Sequence, residues 1–357
     1  MARYIGMRTM WIFIMLFAIL SVNFTLFKLA PSYPPSSEEE RAIYYNKQVY
    51  DGYMEIRIVT DENEMAELRR QISTATTMKG TYYEDNGNLI RAYEPVPINE
   101  QYVAWVSNVI FRWDWGTSTK VEVGRPVFEI IMDRMPTTMT INIIALFFYI
   151  PIGISLGVLA ALKKDKMLDN IISLAVMVMI SIPGFVVMIT LVMTFGYGLE
   201  WVPTIFPAQD AATSIRIKGM ILPVLAMTFG PIASLTRVTR AELTEVLTSE
   251  YLLLARTKGL TRRQAIVRHA LRNSFVPLVP GIIYSFVGIL SGSVIIEMIY
   301  SIPGTGTIFI RALTQNAYDY NLLLASTAFY TFVGLIAVLI VDLTYGLIDP
   351  RIRMGAK

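Results

Sequence analysis

The sequence predicts an all-α polytopic membrane protein with six transmembrane helices and a small α/β extracytoplasmic insert. Three observations point there. Hydrophobic residues fill 54% of the 357 positions and charged residues only 17%, outside the usual range of soluble domains. The apolar surplus gathers in long runs, and about 20 such residues cross roughly 30 Å of hydrocarbon. Cationic residues collect in the short connections that share one side, the pattern that sets the orientation of a multi-pass chain.

The runs cover residues 10–29, 137–162, 168–195, 220–235, 275–299 and 322–348. The fourth is short and carries Pro223, Gly230 and Pro231. The first has Arg3 and Arg8 before it, as a signal peptide would. It is too long for one, and Asn23, Phe24, Phe27, Lys28 and Leu29 do not form a small-residue cleavage site. It is expected to stay as the first helix. The chain then divides into that helix (1–30), an extracytoplasmic insert with the approach to the second helix (31–136), and a core of five helices (137–357).

Placing the N-terminus in the cytoplasm puts 16 of the 31 Lys and Arg residues in the tails and cytoplasmic connections. Segment 236–274 alone holds Arg237, Arg240, Arg256, Lys258, Arg262, Arg263, Arg268 and Arg272. The two short outside connections carry only Arg216, Lys218 and Arg311. Both termini are therefore expected inside. The long connection has 11 basic and 17 acidic residues. Its length frees it from the charge rule, so it falls outside.

About a hundred residues is too much for a plain loop. MEIRIVT from Met54 alternates like a half-buried strand. Asp61, with Glu64, caps a helix over 65–72. Asn86-Gly87 sits between two strand-like runs, a hairpin signal. Pro31, Pro34, Pro35 and the acidic run Glu38, Glu39 and Glu40 read as a link. Trp105, Trp113 and Trp115 suit an interfacial anchor, the reading adopted; a face for an extracellular partner is the other reading.

Pro151, Pro183, Pro223, Pro231 and Pro280 interrupt the spans and predict kinks. Gly153-x-x-x-Gly157 and Gly288-x-x-x-Gly292 predict close helix approach. Glu297 and Asp342 are carboxylates near helix ends, assigned to packing or an interface ahead of a transport role. No chain of buried acids and histidines marks an ion-coupled carrier. There is one histidine, His269, and no cysteine, so disulfides and thiolate metal sites are excluded. No G-x-x-x-x-G-K-[ST] loop occurs, so ATP, if used, is hydrolysed on another chain. No catalytic, cofactor or metal site is expected, nor a nucleic-acid partner.

Segment 236–274 is the most informative part. Helix formers run over 240–258, Gly259 stops them, and a basic helix from Arg262 leads into the fifth span. EYLLLARTKGLTRRQAIVRHALRNSFVPLV, from Glu250, resembles the cytoplasmic loop of binding-protein-dependent ABC importer permeases of the dipeptide/oligopeptide branch. Further resemblance lies in Trp113-Asp114-Trp115-Gly116, in Pro126-Val127 and Arg134-Met135-Pro136-Thr137-Thr138, in Ile302-Pro303-Gly304-Thr305-Gly306, and in Asp342, Tyr345 and Asp349-Pro350-Arg351-Ile352-Arg353. Residues 32–109 match no part of the family core. Where the broad importer signature begins Glu-Ala-Ala, this chain reads Leu253-Leu254-Ala255.

The resemblance implies a type I importer-like permease in a bacterial or archaeal cell (inner) membrane. It implies alternating access and uptake of dipeptides or oligopeptides; another cargo such as nickel, or a membrane receptor or scaffold, is the alternative. Glu250, Tyr251, Leu252, Leu253, Leu254, Ala255, Arg256, Lys258 and Gly259 would form the coupling helix and its exit turn. That helix would insert into a cleft of a cytoplasmic ATPase, and an Ala255→Glu change is expected to weaken the docking. Partners would be a second homologous permease chain, two ATPase subunits carrying ATP and Mg, an extracytoplasmic peptide-binding protein, and membrane lipid.

Overall fold

A computed structural model describes residues 2–30, 37–74, 77–78, 81–208, 210–290, 293–314 and 318–348. The motif Asp349-Pro350-Arg351-Ile352-Arg353, the linker prolines Pro31, Pro34 and Pro35, and Gly292 lie outside these residues.

The membrane part is helical. Five helices are long and apolar enough to cross a membrane alone: Ile5–Leu29 within α1 (Ala2–Leu29), α5 (Val127–Leu162), α8 (Thr213–Leu247), the helix Arg262–Leu290, and Tyr320–Thr344 within α15 (Tyr320–Ile348). Counting a broken pair as one span gives six: α6 (Met167–Ser181) and the helix Gly184–Gly198, bent by 95°. The latter opens as α7 (Gly184–Leu191) and continues π-helically over Val192–Gly198. The break falls at Ile182 and Pro183. Ile182 is extended (φ −87°, ψ 123°), because a residue preceding proline is pushed out of the helical region.

Three helices outrun their apolar stretches. α5 starts at Val127 rather than 137, because its first turns carry Glu129, Asp133 and Arg134. α8 covers 35 residues instead of 16. Its flanks hold Arg216, Lys218, Arg237 and Arg240, and a search for apolar runs cuts them off. Residues 236–247 are thus packed helix, with Thr236, Thr239 and Leu243 buried. The fifth span begins at Arg262 as α10 (Arg262–Ala265), π-helical Ile266–Ala270 and α11 (Leu271–Phe275), and goes on through Val276–Leu278 into α12 (Val279–Val287). The stretch counted as its end is a separate helix, α13 (Val294–Ile299).

The chain divides into two compact units. One holds Met1–Phe13, Met132–Ile308 and Tyr330–Lys357; the other holds Ile14–Ile131 and Phe309–Phe329. In the first, one core joins Ile141, Ala145, Leu222, Val224, Ile296 and Tyr300, and another joins Ala160, Ile172, Val176 and Ala233.

The second unit contains the insert. Its sheet has the order β1-β4-β3-β2, antiparallel throughout: β1 (Met54–Val59), β2 (Thr77–Met78), β3 (Thr81–Asp85) and β4 (Ile90–Pro95). α3 (Glu62–Thr74) covers it, burying Met65 and Leu68 against Val59 and Ile90. The Asp61 carboxylate caps α3 by accepting the Asn63 and Glu64 N–H groups at 2.9 and 3.0 Å. The hairpin turns at Asn86-Gly87, with Gly87 at φ +80°. Arg69 and the Gly87 N–H hold the Asp85 carboxyl down at about 2. The acidic run expected as linker is the first turn of α2 (Glu38–Tyr50), capped by Ser37. Acidic residues there complement the helix dipole.

After α4 (Ile98–Arg112), residues 117–126 are clasped by Asp319 at the head of α15. One Asp319 oxygen accepts Ser118 Oγ at 2.6 Å and the N–H groups of Thr119 and Lys120 at 3.0 Å. The carboxylate is fully buried, and these donors replace the water it gives up.

Candidate functional site

α8 ends at Leu247 because Ser249 takes an extended conformation (φ −75°, ψ 147°) and redirects the chain. α9 (Glu250–Thr257) follows. Eight residues are too few for a helix to hold itself in water; packing holds it. Leu252 and Ala255 are only 5% and 6% exposed. Leu252 enters a cluster with Ala161 of α5, Leu243 of α8, and Ala265 and Ala270 beyond the turn. The three alanines leave room for it.

The exit turn is equally specified. Gly259 sits at φ +91° with open space around it, so only the backbone conformation demands glycine. Thr261 then starts α10 with a capping box: its hydroxyl accepts the Gln264 N–H at 3.3 Å, and Gln264 Oε1 accepts the Thr261 N–H at 3.0 Å. The lone histidine has a structural place. His269 Nδ1 lies 3.0 Å from the Tyr251 hydroxyl, tying α9 to the following helix.

What remains outward on α9 is apolar at its centre and charged at its ends. Leu253 and Leu254 are 61% and 55% exposed, and Tyr251 is exposed beside them. Glu250, Arg256 and Lys258 are exposed around them, as is Gly259. A groove of about 490 Å³ runs alongside, lined by Leu162, Lys164, Lys166, Leu247, Arg256 and Arg262 among others. Ala255 and Leu252 are covered by their own chain. The outward set is Tyr251, Leu253 and Leu254.

Below α9, Arg240 of α8 grips Asp169 of α6, Nη2 to Oδ2 at 2.7 Å and Nε to the other oxygen. Asp169 also accepts the Asp165 N–H and the Ser173 hydroxyl. Sequence reasoning counted Arg240 as one more loop cation and passed over Asp169. No local spacing links two residues 71 positions apart.

The glycine pairs divide. A Cβ on Gly157 would stand 2.5 Å from Thr239 Cβ and 2.8 Å from the Thr236 carbonyl; one on Gly153 would press Leu235. These two do bring α5 and α8 together, and Thr236 Oγ1 donates to the Gly153 carbonyl at 3.1 Å. Gly288 has nothing within 4 Å. It opens a 3₁₀ turn at the end of α12, and among the described residues no helix packs against it. Gly292, its expected mate, is outside the described residues.

The two carboxylates are structural here. Asp342 pairs with Arg8 at 3.1 Å. Glu297 is buried and accepts Thr138 Oγ1 at 3.0 Å, the Thr307 N–H at 2.8 Å and the Thr307 hydroxyl at 3.0 Å. The Ile302–Thr307 turn closes over it. A Cβ at Gly304 would collide with this carboxylate, so that position requires glycine, and one at Gly306 would be tight at 3.0 Å. Among the described residues no cluster of His, Cys, Asp or Glu is placed to hold a metal.

Five long apolar helices, six with the bent pair counted as one span, and a pinned short helix between two of them define a multi-pass membrane protein. The sequence matches, over residues 153–354, the family described as the inner membrane component of binding-protein-dependent transport systems. It is 34% identical to a dipeptide transport system permease protein of Lactococcus lactis over 72% of this chain and 82% of that one. It is 34% identical to a dipeptide transport system permease protein of Bacillus subtilis, over 73% and 81%. Against an oligopeptide transport system permease protein of Escherichia coli it is 35% identical, over 72% and 81%. The chain belongs to the binding-protein-dependent transport system inner membrane component family. A solved methionine ABC transporter, inward facing, aligns with TM-score 0.48 and 15% identity over 62% of this chain and 97% of that one.

Proposed function

We propose that this chain is the permease subunit of an ATP-binding-cassette importer for dipeptides or oligopeptides, and that α9 transmits ATP-driven motion to the spans. The observation that carries the reading is the two-faced construction of α9. Leu252 locks it to α5, α8 and α10 and Ala255 is buried, while Leu253 and Leu254 stand exposed in a cationic surround with Tyr251 beside them. An exposed apolar stripe on a helix of this kind fits a groove on another protein. Being locked, the helix passes a push on its outer face to α8 and the fifth span.

ATP and Mg belong to two partner ATPase subunits, since this chain has no phosphate-binding loop. The passage forms with a second homologous permease, and an extracytoplasmic binding protein delivers the peptide. Both termini lie in the cytoplasm, as the placement of basic residues supports. Peptide cargo rests on the names of the relatives, and the chain as an inert transport subunit on their kind.

The test compares two substitutions on one helix. Leu254→Glu places a charge on the outer face; the chain should insert normally, yet lose its ATPase on affinity purification and lose peptide uptake. Ala255→Glu buries an unpaired charge within this chain and should lower the yield of folded permease itself. ATPase recovery unchanged in Leu254→Glu would defeat the assignment.

A further inference from the structure

The tryptophan-rich stretch before the second span does not simply line a belt. Trp105 is buried, its ring 5.1 Å from that of Phe24 on α1, and Trp115 is buried beside it at 6.2 Å. Tyr102 packs on Phe17 and Phe24, and its hydroxyl lies 2.6 Å from Ser21 Oγ. α4 therefore packs against the part of α1 that crosses the membrane.

Depth follows from helix geometry. Lys28 closes the apolar run of α1. Phe24 and Ser21 stand four and seven residues before it, about 6 and 10 Å deeper at 1.5 Å per residue. Interfacial helices bury their apolar face about 5–10 Å into the headgroup and acyl boundary. The residues that α4 turns away from α1 match that environment. Val103 and Ile110 are 66% and 61% exposed, Phe111 82%, and Trp113, just past the helix, 70%. On α1 itself, Val22 and Leu26 are exposed likewise within a span.

We propose that α4 is an in-plane helix seated in bilayer lipid at the Leu29 end of α1, with Val103, Ile110, Phe111 and Trp113 as its lipid contacts. It anchors the insert to the membrane surface. β4 reaches it through Pro97, and Gln101 Nε2 donates to the Val96 carbonyl at 2.6 Å. Asn108 donates to the carbonyl of Asp51, at the end of α2. The lipid is preferred over a protein partner because Tyr102 and Trp105 meet α1 at Ser21 and Phe24, inside its apolar run.

The sequence has no cysteine, so single cysteines can carry spin labels without background. Labels at Val103 and Ile110 are read in the full chain with its co-purifying subunits in nanodiscs. Leu26 on α1 is the lipid reference and Glu67 on α3 the water reference. Collision rates with oxygen and with a water-soluble nickel chelate should follow Leu26, with oxygen high and nickel low. Nickel access like that at Glu67 would place α4 in water and overturn the proposal. Exclusion of both reagents would show a protein covering the face, and would overturn it equally. Should a label disturb folding, quenching of native tryptophan by brominated lipid replaces it: Trp113→Phe should remove a quenchable fraction, and no change would count against lipid contact.

Discussion

At Gly157 a single hydrogen stands where any other residue carries a Cβ. Thr239 Cβ and the Thr236 carbonyl occupy the space that carbon would need. Gly157→Ala therefore forces α5 and α8 apart, at about 1–3 kcal/mol for an overpacked contact. Gly281→Ala, with nothing within 4 Å, should leave thermal stability in detergent level or slightly raised, since alanine is the better helix former. Gly259 is constrained differently: space is open, but φ is +91°. Gly259→Val should cost about 1–3 kcal/mol of backbone strain. Because the turn orients α9, uptake should fall while membrane insertion persists. Gly259→Asn should be milder, as asparagine tolerates positive φ better. Transport assays on the two variants check the order.

Among elements, α6 and α8 are joined by an ion pair beside their shared apolar core. The Asp169 side chain is 2% exposed and that of Arg240 33%. Asp169→Asn leaves the guanidinium without its anion. The expected loss is about 2–4 kcal/mol, near the low end for a buried pair because Arg240 retains some water. A thermal-unfolding shift in nanodiscs measures it, and an unchanged midpoint would refute the role. Much at this scale was legible in the sequence. The strand at Met54, the Asp61 cap, the Asn86-Gly87 hairpin and the Gly259 stop are local signals, and local chemistry realises each. The start of α5 and the flanks of α8 were not, because helix continues through charged turns that break an apolar run. The break at Pro183 was foreseen as a kink; its size depends on packing that no local signal carries. The inward turn of Leu252 and Ala255 was equally hidden, since Ala161, Ala265 and Ala270 come from three separate segments.

For the whole molecule, the chain is a multi-pass member of the binding-protein-dependent transport system inner membrane component family. The account then turns on one surface, the outer face of α9. Replacing Leu254 by cysteine in this cysteine-free chain gives a defined probe there. The measurement is zero-length or short-arm cross-linking of Leu254→Cys in native membranes, with mass spectrometry of the product and Ala255→Cys as the inward control. The account predicts a cross-link from position 254 to a P-loop ATPase, and none from 255. An ATPase that co-purifies normally yet cross-links at neither position, or at 255 alone, would contradict it.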